Sequence, residues 1–149
     1  MHILVAADAD YVINDVNSAL GAPGTSFTVC REGREVARLV AERSYDLAVL
    51  DLQIGSMGGM AVTMSLRLDQ SAGNAPYVPV LMLLDRQADV HLAKRSAADA
   101  WLLKPFDALA LKRAVAAALA GPPADDGPAE ADTAADSAET TEEDAVTAG

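Results

Sequence analysis

Short apolar runs of strand length recur along the chain at Ile3-Leu4-Val5-Ala6, Phe27-Thr28-Val29-Cys30, Leu47-Ala48-Val49-Leu50, Val78 to Leu84 and Ala100 to Leu103. Between and after them, apolar residues fall at helical spacing: Val12, Val16, Leu20; Val36, Leu39, Val40; Met60, Met64, Leu68; Val90, Ala93, Ala97; and Leu111, Val115, Leu119. The pattern predicts five strands alternating with five helices, an α/β fold. Strands covered by helices on both sides of a parallel sheet read as unbroken apolar runs, as the central ones do here. Phe27 and Val29 instead alternate with polar neighbours, which predicts an edge strand. Gly21-Ala22-Pro23-Gly24 and Ser71 to Pro76 combine Gly with a following Pro and are expected to end the first and third helices.

Length and composition narrow the picture. With 149 residues and 51% apolar content, one domain over residues 1–120 is expected. Residues 121–149 are Pro, Ala, Thr and acid, with nine acids between Asp125 and Asp144 and no Lys or Arg. Such a segment buries too little surface to offset chain entropy and is predicted to be disordered. The remaining acids nearly balance the 11 Lys and Arg, so no basic face for direct nucleic-acid binding is expected. Cys30 is the single cysteine, and with His2 and His91 it gives too few ligands for a soft-metal cage. His2 and His91 are read as surface residues, Cys30 as a small buried group, and Met57, Met60, Met64 and Met82 as gap-fillers. No apolar run approaches the roughly 20 residues that span a bilayer, so a soluble cytoplasmic protein with no membrane association is expected.

Ligands of an open parallel sheet gather at the carboxyl ends of its strands. Here the first strand ends at Asp8, the third at Asp51, the fourth at Leu84-Asp85 and the fifth at Lys104. Asp8 and Asp51 offer hard oxygen ligands suited to Mg²⁺, and Lys104 a point charge for phosphoryl oxygens.

The segments Asp46 to Leu52 followed by Gly58-Gly59-Met60, and Ala98 to Lys104-Pro105-Phe106, resemble the phosphoacceptor and lysine blocks of bacterial response-regulator receiver domains. The resemblance covers residues 2 to about 120. It implies a flavodoxin-like sheet in the order 2-1-3-4-5 and a single-domain response regulator. It also implies that Asp51 takes a phosphoryl group from a sensor histidine kinase or phosphotransfer protein. Mg²⁺ would be held by Asp8, Asp51 and the Gln53 backbone carbonyl, and Lys104, after a cis Lys104-Pro105 bond, would contact the phosphoryl oxygens. No conventional enzymatic activity is expected. The surface around the fourth helix, fifth strand and fifth helix, with Arg86, Lys94, Arg95, Lys112 and Arg113, would meet a downstream protein with an acidic patch.

Departures from the family pattern qualify these expectations. Ala7 stands where the family carries a second acid, a loss compared here with removal of a group that supports a metal ligand, about 10- to 100-fold in affinity. Mg²⁺ binding is therefore expected to be weak. Leu84 stands where a Thr or Ser hydroxyl draws in the switch loop, Trp101 where its partner is Tyr or Phe, and Ile54-Gly55 where Leu-Pro is common. An alternative is a phosphorylation-independent adaptor of the same fold. A remote one is a haloacid-dehalogenase-type phosphatase, since Asp8-Ala9-Asp10 resembles its Asp-x-Asp motif, with Asp8 as nucleophile and Asp10 as general acid. That chemistry needs a further acidic pair after the lysine, and it leaves Asp51 unused. In the plainest reading Asp8 and Asp10 cap the first helix.

Overall fold

The computed structural model describes residues 1–121; the predicted acidic disordered segment, apart from Gly121, lies outside them. The elements run β1 (His2–Ala6), α1 (Asp10–Leu20), β2 (Ser26–Cys30), α2 (Val36–Glu42), β3 (Leu47–Asp51), α3 (Gly59–Ser71), β4 (Val80–Leu84), α4 (Val90–Arg95), β5 (Ala100–Leu103) and α5 (Ala108–Leu119). All strand pairs are parallel, and the sheet order is β2-β1-β3-β4-β5. β2 lies at an edge, as its alternation indicates. The Lys104-Pro105 peptide is cis.

The unbroken apolar runs divide between two cores. Leu4, Ala6, Ala48, Leu50, Val80, Met82 and Leu84 point to one side, against Val36, Val40, Val62, Leu66 and Ala93 of α2, α3 and α4. Ile3, Val5, Leu47, Val49, Leu81 and Leu83 point to the other, against Val12, Val16, Leu111 and Val115 of α1 and α5. The three central strands β1, β3 and β4 thus keep the period of two of a pleated chain while apolar on both faces.

Two boundaries and one buried face differ from the sequence reading. β4 begins at Val80, not Val78. Pro79 accepts a bond from the Ala48 N–H but has no N–H of its own to give the ladder. In α3 the buried face is Gly59, Val62, Thr63 and Leu66, whereas Met64 and Leu68 are exposed. The polar Thr63 hid this face. Its hydroxyl donates to the Gly59 carbonyl at 2.8 Å, one turn back, so it is buried without an unmet bond. Finally, α4 stops at Arg95, before Ala97, which adopts φ 66°. The Ala97 N–H donates to the Lys94 carbonyl and the Ala98 N–H to the Ala93 carbonyl, a Schellman cap built on alanine in place of glycine.

Below the sheet's amino end a buried polar network pins α3 to β4 and β5. The Asp99 carboxylate accepts from Arg67 Nη2 at 2.7 Å, from the Val80 N–H at 2.8 Å and from the Tyr77 hydroxyl. Arg67 also donates to the carbonyls of Ala97 and Val78, and its guanidinium lies 4.9 Å from the Tyr77 ring centroid. Burial, and then the bond to Asp99, push the Tyr77 pKa up, so its hydroxyl stays a donor.

Two stability measurements follow. Arg67→Met leaves the Asp99 charge buried with two donors in place of three partners, and should cost roughly 3–5 kcal/mol in chemical denaturation. Breaking the exposed Arg38–Glu42 pair by Arg38→Met should cost far less; equal losses would contradict the pinning role. Ala97→Gly should raise stability by about 1 kcal/mol, because glycine carries no penalty at positive φ; a loss would show that the cap is not strained.

Candidate functional site

The register of the central strands assembles the site. Asp51 ends β3 opposite Leu83, and Leu84 pairs with Leu103 at the ends of β4 and β5, so Asp51, Asp85 and Lys104 emerge together at one edge of the sheet. Asp51 is only 3% exposed. A charge so desolvated requires a partner, and Lys104 supplies it. Its Nζ lies 3.0 Å from Asp51 Oδ1 and 3.1 Å from Oδ2, with a Lys104 side chain 9% exposed. The Gln53 N–H donates to Asp51 Oδ1 at 3.0 Å.

The same Nζ lies 3.1 Å from Asp85 Oδ1, an ion pair that the sequence reading did not foresee. Burial pulls the Lys104 pKa down, but hydrogen bonds to Asp51 and then Asp85 outweigh it, and the ammonium titrates above its ordinary 10.5. It is charged at neutral pH.

Asp8, expected as a metal ligand, is exposed, and its Oδ2 accepts from the Gly55 N–H at 3.0 Å. Two further bonds hold the β3–α3 loop: the Gly33 N–H donates to the Gly55 carbonyl and the Arg34 N–H to Ser56 Oγ. Gly33 must be glycine here, since a Cβ would lie 1.8 Å from the Met57 carbonyl oxygen. Ala7 is buried among Val5 and Val12 and offers no oxygen. Among the described residues no three His, Cys, Asp or Glu gather into a metal cage. The hard donors available are the carboxylates of Asp8 and Asp51 and the Gln53 carbonyl. That set fits Mg²⁺, which takes one or two carboxylates and keeps several waters.

Other candidate residues fall away from this cluster or into the core. Asp10 pairs with Arg31 Nη2 at 2.6 Å and its side chain is 76% exposed, while Asp107 caps α5 by accepting from the Ala110 N–H. Asp10, the general acid of the phosphatase reading, is thus paired with Arg31 and has no bond to Asp51 or Lys104. Nor do Asp8 and Asp10 cap α1, whose N-cap is Ala9 with no side-chain bond. Leu84 is fully buried, and Trp101 is half-buried with Lys94 Nζ 5.7 Å from its ring centroid. Of the expected output surface, Arg86, Lys94, Arg95, Lys112 and Arg113 are all exposed, and Arg86 is bonded to Asp89, which lowers the Asp89 pKa. His2 is half-buried, with Nε2 2.9 Å from Thr28 Oγ1, and Cys30 is buried as expected. No helix among the described residues is long and apolar enough to cross a membrane.

Comparison with known proteins agrees with this geometry. The model of the response regulator receiver domain matches residues 3–116. The transcriptional regulatory protein CseB of Streptomyces avermitilis is 29% identical over 120 residues, covering 79% of this chain and 48% of that protein. The DNA-binding response regulator MtrA of Mycobacterium tuberculosis is 33% identical over 106 residues, covering 70% of this chain and 44% of its own length. This chain thus spans about half the length of these relatives. Among solved structures, the receiver domain of a sensor histidine kinase from Pseudomonas aeruginosa has a similar fold, with TM-score 0.69 and 20% identity over 80% of this chain and 98% of that one. That protein was solved with a magnesium ion coordinated in its active-site cleft. With the sheet order, the buried strand-end aspartate, its lysine and the match over residues 3–116 all in agreement, this chain belongs to the response regulator receiver domain family of two-component signalling.

Proposed function

We propose that this receiver accepts a phosphoryl group on Asp51 from a sensor histidine kinase or phosphotransfer protein in the cytoplasm, and signals through protein contact. The observation that supports it most is the Lys104 ammonium set against both oxygens of a buried Asp51. In the transfer an Asp51 carboxylate oxygen bonds to phosphorus as the donor's P–N bond, or the P–O bond of an acyl phosphate, breaks. The leaving group departs with the electron pair. Negative oxygens approach one another in this step, so the barrier depends on positioning and on fixed positive charge.

Lys104 carries part of that charge, and the Gln53 N–H orients the acceptor carboxylate. Mg²⁺, held by Asp8, Asp51 and the Gln53 carbonyl, supplies further positive charge to the phosphoryl oxygens when bound. Its binding is weak because Ala7 brings no acid to the metal end of the site. The exposed Arg95, Lys112 and Arg113 suit an acidic patch on the downstream protein.

A second reading, a phosphate-independent adaptor, draws on the fully buried Leu84, which has no hydroxyl to bond a phosphoryl group. Two measurements separate them. With millimolar Mg²⁺ and acetyl phosphate, intact-mass spectrometry should show slow addition of one phosphate, abolished by Asp51→Asn. Ala7→Asp should tighten Mg²⁺ and speed the reaction about 10- to 100-fold, at some cost in stability because the site is buried. Leu84→Thr should change the conformational response, read by amide NMR, more than the Mg²⁺ affinity. If neither the parent nor the Ala7→Asp, Leu84→Thr double variant gains phosphate, the adaptor reading replaces this one.

A further inference from the structure

We infer that Asp85 is a positioning residue that competes with the incoming phosphoryl group for Lys104, and so sets how readily an anionic donor reacts. The inference rests on the phosphoacceptor reading but comes from a separate contact. A lysine ammonium has three protons. Three carboxylate oxygens lie within 3.1 Å of Lys104 Nζ: Asp51 Oδ1 and Oδ2, and Asp85 Oδ1. Its donor capacity is matched before any phosphate arrives. A phosphoryl oxygen that reaches Lys104 must displace one of these, and Asp85 is the one able to leave. Asp51 is buried and tied to the Gln53 N–H, whereas the Asp85 side chain is 40% exposed.

The competition also has a charge component. Displaced or not, the Asp85 carboxylate remains at the end of β4, beside the residue whose partner on β5 immediately precedes Lys104. It adds negative charge at the lysine end of the site, where phosphoryl oxygens must settle. At the opposite end Ala7 contributes none. The opposing effect increases with the charge of the donor and declines with salt, because a half-exposed carboxylate is screened.

Phosphorylation rates with two donors test this, using acetyl phosphate as the more negative and phosphoramidate as the less negative. Asp85→Asn and Asp85→Ala should each speed reaction with acetyl phosphate by about 10-fold, the factor that ~1.4 kcal/mol gives, at low salt. The gain should be smaller with phosphoramidate and at high salt. A purely structural role for Asp85 would change both donors alike. Affinity for fluoroberyllate with Mg²⁺, by calorimetry, should also tighten in both variants. Equal phosphorylation rates and fluoroberyllate affinities in parent and variants would overturn the role of Asp85 while leaving Asp51 as phosphoacceptor. Tighter fluoroberyllate binding in a protein that never gains phosphate would support Asp85 and overturn the phosphoacceptor reading. Slower reaction and weaker binding in both variants would overturn the competition, showing that Asp85 holds Lys104 in place.

Discussion

The contact between Lys104 and Asp51 is the interaction on which the rest of the site depends. Asp51 is the buried last residue of a central strand, and the Lys104 ammonium meets both of its carboxylate oxygens. A buried pair of this kind contributes little net stability, since desolvation consumes much of the Coulomb gain, yet removing either partner is costly. Its value is geometric. The parallel register that puts Leu84 beside Leu103 also puts Lys104 within reach of Asp51, so fold and site form together.

Around that pair the distribution of charge is lopsided. Ala7, packed among apolar neighbours, leaves Asp8 and Asp51 as the carboxylates of the proposed metal end. Asp85 adds a carboxylate at the lysine end. Leu84, fully buried, fills with methyl groups a position from which a hydroxyl would bond a phosphoryl group. If Asp51 is the phosphoacceptor proposed above, all three features lower the attraction for a phosphoryl group, while Asp51 and its lysine stay in place. Asp8 meanwhile holds the β3–α3 loop, its Oδ2 accepting from the Gly55 N–H. In the proposed reading, such a site would transfer a phosphoryl group slowly.

Much of this was legible in the sequence. Strands buried on both faces read as continuous apolar runs, and the edge strand betrayed itself by alternation. Asp8, Asp51 and Lys104 were visible as polar residues closing apolar strands. The α3 face was misread because Thr63 conceals its polarity in a bond to its own helix, a device that leaves no mark on a hydrophobicity pattern. The end of α4 was misplaced because Ala97, an ordinary helix former, takes a left-handed conformation. The Asp99, Arg67 and Tyr77 network joins residues 22 and 32 positions apart, and periodicity carries no information at that range. Asp85 did carry a signal: it follows Leu84, whose neighbour Leu103 precedes Lys104, so the strand register alone brings the two side by side.

Whether Asp51 and Lys104 form a phosphoryl-binding centre is answered by a single titration. Amide NMR of the protein, with fluoroberyllate added in the presence of Mg²⁺, reports where an aspartyl-phosphate mimic settles. The account predicts saturable shifts centred on Asp51, Gln53, Asp85 and Lys104, with Asp8 and Gly55 responding to the cation, and their disappearance in Asp51→Asn. Shifts confined to Asp8, Asp10 and Arg31, or none at any concentration that keeps the protein folded, would contradict it.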